Sequence, residues 1–287
     1  MRPLVHGFFD PVTFTASYVV QDPESSACAI IDPVMDFDAA SGRTHTESAD
    51  KIVAHIGAHD LQVQWIVETH VHADHLTAAP YLQKKLGGKT VIGAPVTIVQ
   101  QAFRKIFNTG TDFPLDGSQF DRLIQDGEKL HIGGLELRAM HTPGHTPACM
   151  TYLAEDAAFI GDTMFMPDYG TARADFPGGD ARALYRSIRK ILALPPETRL
   201  FLCHDYQMPE RKQFVWETTV AAQKSGNVHV HDGISEEDFV KMRTARDATL
   251  NMPALILPSV QINMRAGHFP PAEENGVSYL KLPLNYF

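Results

Sequence analysis

The sequence predicts an α/β sandwich whose sheets contain both parallel and antiparallel strands. Two β-rich regions, each interleaved with helical segments, occupy most of the 287-residue chain. That alternation favours a sandwich over a parallel, doubly wound sheet. No repeat at a fixed period and no low-complexity tract interrupts this alternation.

The first β-rich region opens with two apolar, β-branched runs. Residues 13–20 and 27–32 are predicted strands that flank Asp22-Pro-Glu-Ser, which indicates a hairpin. The polar stretch 36–48 is predicted to be a loop. The further predicted elements are a helix at 49–56, a strand at 63–68, a helix at 76–86 that ends at Gly87-Gly88, a strand at 89–94 and a helix at 96–107.

The second β-rich region follows a predicted loop at 108–125, which is rich in Gly, Pro and Asp. Its predicted elements are strands at 129–132, 135–140, 148–153 and 157–160, a helix at 180–192 and a strand at 199–203.

The character of the chain changes near residue 227. A charged helix is predicted at 235–250, with Ser235 as its N-cap and Asp238 as an acidic variant of the capping box. The proline-rich tail 252–287 is predicted to be an arm that packs on the core. We therefore expect a catalytic domain at 1–226, followed by a C-terminal helix and arm at 227–287.

Composition excludes several classes of function. The formal net charge is −9 and the pI is about 5.8, and no basic stripe is present, so nucleic acid is not an expected partner. The three cysteines, Cys28, Cys149 and Cys203, are widely spaced, which suits a reducing compartment. No signal-peptide core or membrane span is visible. We expect a cytoplasmic protein without a membrane partner.

Residues 69–75 read Thr-His-Val-His-Ala-Asp-His and directly follow a predicted buried strand. His70 and His72 are two residues apart, a spacing that lets both side chains point the same way from an extended segment. Asp74 and His75 are adjacent and therefore point elsewhere. This pattern predicts two neighbouring cation sites at the end of the strand.

Three further ligand-type residues also follow predicted strands. His145 lies in Pro-Gly-His-Thr between two strands, Asp162 comes just after the strand at 157–160, and His204 follows the strand at 199–203. A rigid sheet can direct such residues at one point. A single histidine after a strand is usually structural, but this conjunction of motifs predicts a metal centre. His141 is not expected to be a ligand.

The order and wording of these motifs resemble the metallo-β-lactamase fold superfamily over residues 10–225. The resemblance implies a four-layer αβ/βα sandwich with two mixed β-sheets and metals along one edge. It also implies a division of the ligands. His70, His72 and His145 would form a first site, Asp74, His75 and His204 a second site, and Asp162 would bridge them.

Further motifs resemble the persulfide dioxygenases within that superfamily. They are Thr-His-Val-His-Ala-Asp-His-Leu-Thr at 69–77, Gly-Asp-Thr-Met-Phe at 161–165, Arg-Ala-Asp-Phe at 173–176 and His-Asp-Tyr at 204–206. One motif departs from the family: Gly-Thr-Ala stands at 170–172 where Gly-Cys-Gly is typical.

The resemblance implies a reaction and a cofactor. Glutathione persulfide and O2 would give sulfite and glutathione, with one non-haem Fe(II) held by His70, His145 and Asp162. His72, Asp74, His75 and His204 would then orient those ligands and water. The alternative is a thioester hydrolase of the glyoxalase II type with two Zn ions that activate water. A non-enzymatic metal-bearing sensor or scaffold is less expected, because no ligand is missing.

Substrate contacts follow from the charge of the thiol carrier. Glutathione carries two carboxylates, so the groove should present cations or hydrogen-bond donors. Asp74, Tyr206 and Arg173 are the expected catalytic residues, and Arg173 and Tyr206 are also the expected substrate contacts. Arg243, Arg246 and Arg265 are weaker candidates. The resemblance also implies a possible homodimer.

Overall fold

The computed structural model describes residues 2–286, which form fifteen strands and seven helices. The strands are β1 (Leu4–Asp10), β2 (Thr15–Gln21), β3 (Ala27–Ile31), β4 (Val34–Asp38), β5 (Arg43–His45), β6 (Gln62–Val67), β7 (Leu76–Thr77), β8 (Lys89–Gly93), β9 (Arg122–Ile124), β10 (Lys129–Ile132), β11 (Leu135–His141), β12 (Met150–Ala154), β13 (Ala157–Phe159), β14 (Arg199–Phe201) and β15 (Glu217–Thr219). The helices are α1 (Glu47–Ala58), α2 (Ala79–Leu86), α3 (Val96–Phe107), α4 (Ala181–Leu192), α5 (Val220–Gly226), α6 (Glu236–Asp247) and α7 (Ile256–Asn263).

Two six-stranded sheets form the centre of the molecule. The first has the order β1-β2-β3-β6-β8-β9, antiparallel from β1 to β3 and parallel from β3 to β9. The second has the order β10-β11-β12-β13-β14-β15 and is parallel only between β13 and β14. The short strands β5, β4 and β7 form a third sheet. Both large sheets are mixed, which confirms the predicted class.

Alternating side chains of β2 show how the layers are stacked. Ala16, Tyr18 and Val20 point into the apolar core between the two large sheets, whereas Val19 joins the core beneath α1 and α2. This division follows from the two-residue period of a strand. On the second sheet, α4 and α6 form the outer layer in the same way. The result is the expected four-layer αβ/βα sandwich.

Long, strongly patterned elements match the sequence predictions. The helix predicted at 96–107 and the strand predicted at 129–132 have the bounds of α3 and β10. The predicted hairpin is the antiparallel pair of β2 and β3. The predicted helix at 180–192 is α4, and the side chain of Asp180 caps it by accepting a hydrogen bond from the backbone N–H of Ala183.

Several short elements were missed. The segment 36–48, predicted to be a loop, contains most of β4 and all of β5, and Asp36 fixes this hairpin by accepting hydrogen bonds from Ser48 at the start of α1. Strand β1 precedes the first predicted strand, and β9 lies inside the predicted loop 108–125. The helix predicted at 76–86 begins only at Ala79, because Leu76 and Thr77 pair with β4 instead. The strand β15 and helix α5 were also not expected.

The C-terminal segment packs closely on the sandwich. Helix α6 lies against α4, and α7 lies against β7 and α3. Helix α7 interrupts the region predicted to be an arm. Ser235 caps α6 by accepting from the backbone N–H of Asp238 at 3.1 Å, and its hydroxyl donates to the Asp238 carboxylate at 2.7 Å. The acidic capping box thus closes through the hydroxyl. Among the described helices, none combines the length and apolar character that crossing a membrane requires.

Candidate metal centre

The seven ligand-type residues predicted from the sequence lie on one edge of the sandwich. His70 to His75 follow β6, His145 lies between β11 and β12, Asp162 follows β13 and His204 follows β14. Strands β13 and β14 are parallel neighbours, so the residues that follow them emerge side by side. The loops after the strands of both large sheets thereby meet at one point.

Two sets of atoms converge at this point and share Asp162. Ligand atoms of His70, His145 and Asp162 lie within 4.8 Å of one another. Asp162 Oδ2 is 3.9 Å from His70 Nε2 and 3.7 Å from His145 Nε2. Its other oxygen, Oδ1, is 3.4 Å from His204 Nε2. The carboxylate of Asp162 therefore stands between the two sets.

Hydrogen bonds to the outer nitrogen fix the orientation of three imidazoles. Nδ1 of His145 is 2.8 Å from the carbonyl of Arg173, and Nδ1 of His204 is 3.2 Å from the carbonyl of Phe14. A carbonyl only accepts, so each Nδ1 carries the proton and each Nε2 keeps its lone pair. Nδ1 of His70 lies 3.0 Å from the hydroxyl of Thr69, which itself donates to Asp32. All three rings present Nε2 to the centre.

His72 is oriented by two buried carboxylates. Its Nε2 lies 3.1 Å from Asp32 Oδ1 and 3.2 Å from Glu68 Oε2. Burial alone would lower the pKa of His72, but the two carboxylates outweigh burial and hold it well above the usual 6.5. The ring therefore presents Nδ1 to the other ligands. Asp74 and His75 lie close by, within 4.8 Å ligand-atom separation from His72.

Burial and neighbouring charged groups determine the ionisation of His70, His75 and Asp74. Burial, together with His72 and His145, holds the pKa of His70 well below its usual value, so the ring is neutral. Burial and His72 also lower the pKa of His75. Burial would raise the pKa of Asp74, but the neighbouring His204 and His75 outweigh it and hold this pKa well below the usual range. His70 and His75 thus offer neutral imidazoles beside the ionised carboxylate of Asp74.

Five buried ligand atoms at the centre have no hydrogen-bond partner among the described residues. Such atoms are costly in a protein interior unless another group satisfies them. These five are four imidazole nitrogens and a carboxylate oxygen gathered in one place, and such nitrogen and oxygen ligands are the donor set of a transition-metal site. The residues present therefore fit a metal. The atoms are His70 Nε2, His72 Nδ1, His75 Nε2, Asp162 Oδ1 and His204 Nε2.

Cys203 lies beside the ligands but is not a good candidate for one. Its sulfur is within 4.8 Å of ligand atoms of Asp162 and His204. Burial, reinforced by Asp32 and Asp162, holds the pKa of the thiol well above its usual value, so the thiol stays protonated. The thiol points at Asp32 Oδ2, at 3.7 Å.

A cavity of about 480 Å³ opens above the centre. Asp74, His145 and Asp162 reach it from the metal-ligand side. Aromatic rings form much of its wall, contributed by Phe14, Phe165, Tyr169, Phe176 and Tyr206. The Tyr206 ring stacks on that of His204, with centroids 5.4 Å apart, and its hydroxyl makes no hydrogen bond to a described residue. Burial, with Asp162 and Asp74, holds the pKa of Tyr206 well above its usual value, so the hydroxyl is a donor.

The arginines near the cavity differ in how far their charge is already paired. Arg173 binds both oxygens of Asp175, at 2.6 and 2.7 Å, and donates to the carbonyl of Asn251. Arg243 is buried and pairs with Asp247. Arg246 also lines the cavity and is exposed, but it makes no ion pair with any described residue. Arg265 does not line this cavity; it stacks on Phe113.

Sequence reasoning missed the residues that hold the ligands. Asp32 follows an apolar strand, as Asp162 does, so its position at a strand end was a usable signal. Glu68 is the residue immediately before the histidine motif at 69–75, and this adjacency was also a usable signal. Asn263 contacts the histidine loop, which is the segment 68–75 between β6 and β7. It carried no comparable signal, because it lies at the end of a helix that was itself not predicted.

Comparisons with known proteins give one family match and several similar proteins. The family model described as the metallo-beta-lactamase superfamily matches residues 10–204. A probable metallo-hydrolase of Burkholderia pseudomallei is 60% identical, over 98% of this chain and 99% of that protein. Glyoxylase B2 of Dictyostelium discoideum is 49% identical, over 95% and 94%. The mitochondrial persulfide dioxygenase ETHE1 of Homo sapiens is 31% identical, over 92% and 89%.

A solved structure shows the same arrangement of the chain. The crystal structure of ETHE1 from Myxococcus xanthus superimposes with a TM-score of 0.73 and is 27% identical. It covers 92% of this chain and 100% of its own. The match extends past the last residue of the family model, so most of the C-terminal segment has a counterpart there as well.

Proposed function

The chain belongs to the metallo-beta-lactamase superfamily, and from that premise we propose that it is a persulfide dioxygenase with one non-haem Fe(II). The observation that carries the proposal is the convergence of His70, His145 and Asp162. Two imidazoles and one carboxylate on one face are the ligand set of non-haem iron oxygenases, since they leave adjacent positions free. When bound there, Fe(II) would supply the redox chemistry that joins O2 to the substrate sulfur.

The spacing of the three ligands supports one ion. Bonds of about 2.1 Å place two ligand atoms about 3 Å apart at a right angle and about 3.4 Å apart at a tetrahedral angle. The separations of 3.7 and 3.9 Å from Asp162 Oδ2 to His145 and His70 would have to contract by about 0.3–0.5 Å for a tetrahedral angle and by about 0.7–0.9 Å for the right angles of a facial iron site. The carbonyl of Arg173 and the hydroxyl of Thr69 hold the two rings in this orientation.

The four remaining candidates make contacts that suit residues placed around the iron ligands. They are His72, Asp74, His75 and His204. His72 donates from Nε2 to Asp32 and Glu68. Asp74 Oδ2 accepts a hydrogen bond from His75 Nδ1 at 3.2 Å, and His204 Nε2 lies equally close to this oxygen. We propose that the four groups orient the iron ligands and hold water beside them.

The reaction requires one O2 and one water for each glutathione persulfide. The bond between the two sulfurs breaks; the outer sulfur gains three oxygens and leaves as sulfite, and the inner sulfur takes a proton and leaves as glutathione. The outer sulfur is oxidised and O2 is reduced. The hydroxyl of Tyr206 remains protonated in the cavity and is therefore a donor for an anionic sulfur.

The walls of the cavity suit a small anionic thiol. Phe14, Phe165 and Tyr169 exclude water from the substrate stem, while Arg246 brings an unpaired positive charge. We propose that Arg246 binds a carboxylate of glutathione. Arg173 also lines the cavity and contributes the flat face of its guanidinium, although Asp175 already balances its charge.

Oxygen consumption tests the proposal. Protein is reconstituted with Fe(II) under anaerobic conditions and then exposed to O2. It should consume O2 and release sulfite when glutathione persulfide is present, and it should consume no O2 without the persulfide. An Asp162→Ala variant should be inactive and should bind less iron, even though its urea-unfolding midpoint matches that of the wild type. Iron-loaded wild-type protein that consumes no O2 would refute the proposed reaction.

A second candidate is a thioester hydrolase with two metal ions. It is favoured by His204 Nε2, which faces Asp162 Oδ1 at 3.4 Å and Asp74 Oδ2 at 3.2 Å, a spacing that also fits a cation. In this case two ions would lower the pKa of a bound water. Turnover of S-lactoylglutathione with two metals per chain would support this reaction, and one metal per chain with no turnover would exclude it.

A further inference from the structure

We propose that Asn263, at the end of α7, is a positioning residue for the metal centre. The inference rests on the proposed metal centre but not on which reaction occurs there. Asn263 lies outside the residues 10–204 that the family model matches, and it touches none of the ligand side chains. Its role is to hold the backbone that carries them.

Both N–H groups and the carbonyl oxygen of the Asn263 amide bond to the backbone between His72 and Thr77. Nδ2 donates to the carbonyl of His72 at 2.9 Å and to the carbonyl of His75 at 2.8 Å. Oδ1 accepts from the backbone N–H of Thr77 at 2.9 Å. Asn263 itself is only 3% exposed. One side chain therefore clamps three backbone groups within six residues.

This clamp acts where the backbone has no other regular support. The loop between β6 and β7 carries His70, His72, Asp74 and His75 but contains no helix or strand. The carbonyls of His72 and His75 flank Asp74, so fixing both carbonyls fixes the direction in which the intervening side chain leaves the chain. Buried carbonyls without a donor would instead favour a different backbone path.

The end of α7 is itself held against the body of the protein. Gln100 of α3 donates to the carbonyl of Met264 at 3.0 Å. Gly267 packs so closely on α2 that a Cβ there would lie 2.6 Å from Pro80 Cδ, and its φ of +86° also suits glycine. Asn263 is therefore attached to a rigid support, as a positioning residue must be.

Gln261 provides a matched control on the same helix. Its amide also makes three hydrogen bonds and is 4% exposed, but its partners are the carbonyls of Leu257 and Lys281 and the N–H of Lys281. It thus holds the C-terminal tail and not the histidine loop. Loss of either amide removes the same number of hydrogen bonds, and only one loss concerns the metal centre.

Metal affinity measured without turnover tests the inference. Apoprotein of the wild type, Asn263→Ala and Gln261→Ala would be titrated with Zn(II) against a chromophoric chelator, and folding would be verified by urea unfolding. We expect Asn263→Ala to weaken Zn(II) binding by about 10–100-fold, as loss of an outer hydrogen bond at a metal site typically does. Gln261→Ala should stay within about twofold of the wild type.

Asn263→Asp is the second test variant, and it is used if Asn263→Ala does not unfold cooperatively and therefore is not properly folded. Aspartate keeps the volume and the acceptor for Thr77 but sets an oxygen against the carbonyls of His72 and His75, so Zn(II) binding should weaken by at least as much. Wild-type affinity in a folded Asn263 variant would overturn the inference, as would failure of both variants to fold while Gln261→Ala folds. A wild type that binds no Zn(II) would contradict the metal centre itself.

Discussion

Replacement of Arg243 by methionine will lower the free energy of unfolding by about 3–5 kcal/mol, because it leaves a buried carboxylate without its partner. Arg243 is 1% exposed and Asp247, one turn later on α6, is 6% exposed. The guanidinium contacts Asp247 Oδ1 at 2.6 and 2.8 Å and also donates to the carbonyl of Thr171 at 3.1 Å. Asp247 in turn accepts from the N–H of Ala174 at 2.9 Å.

The size of the effect follows from which charge remains. Methionine fills much of the space of the arginine stem, so the loss comes mainly from the unpaired Asp247 carboxylate and the unsatisfied carbonyl of Thr171. Addition of Asp247→Asn removes the buried charge while keeping an acceptor for Ala174. The double variant Arg243→Met/Asp247→Asn should therefore recover part of the loss, and the cycle should give a coupling of about 1–3 kcal/mol.

Equilibrium urea unfolding of the apoprotein measures these differences. Arg182→Ala is the control, since Arg182 joins the same helix through the exposed pairs with Glu236 and Glu237. Solvent screens such pairs, so this variant should unfold near the wild-type midpoint. If Arg243→Met cost no more than Arg182→Ala, the view that α6 is joined to the metal-centre loops through a buried ion pair would be wrong.

Three further predictions concern substrate binding, pH and backbone shape. Arg246→Ala should raise KM for glutathione persulfide about tenfold with little change in kcat, because one charged hydrogen bond is lost. Arg265 lies outside the cavity, so Arg265→Ala should leave KM unchanged. Steady-state kinetics of the two variants test this difference. Burial, then two nearby arginines, lowers the pKa of His229 from 6.5 to about 4, so the unfolded chain binds the additional proton. Stability should fall as pH drops from 6.5 towards 4, and His229→Asn, which keeps an acceptor for Thr171, should flatten that part of the urea-midpoint profile. Gly144 has φ of +142° and a Cβ there would lie 2.2 Å from the backbone of α4; Gly144→Ala should cost at least about 2 kcal/mol in urea unfolding, and unchanged stability would contradict this packing.

The strand-end positions of the candidate ligands could be predicted because each signal was local. His70, Asp162 and His204 each follow an apolar, β-branched run closely enough to mark a strand end. A strand end can be identified from a few neighbouring residues, since the apolar pattern has a short period. The mixed sheets followed from the same local patterns.

Short elements at the edges were missed for a related reason. Strand β5 has three residues and β4 ends in acidic residues, so the segment 36–48 resembled a polar loop until pairing defined it. Helix α7 has no side-chain N-cap, contains Pro258 and is buried on more than one face, which removes both the capping signal and the one-sided apolar stripe.

The sequence by itself determined the class of fold, the strand ends and the kinds of ligand that gather there. Only the tertiary structure decided that Asp32 and Glu68 hold His72, that Asp175 occupies Arg173 while Arg246 stays unpaired, and that Asn263 clamps the histidine loop. The reason is physical. Local patterns depend on neighbours within a few residues, whereas a buried polar group takes whichever partner the packing of the sheets and the C-terminal helices brings to it, from 40 residues away for His72 and 191 for Asn263.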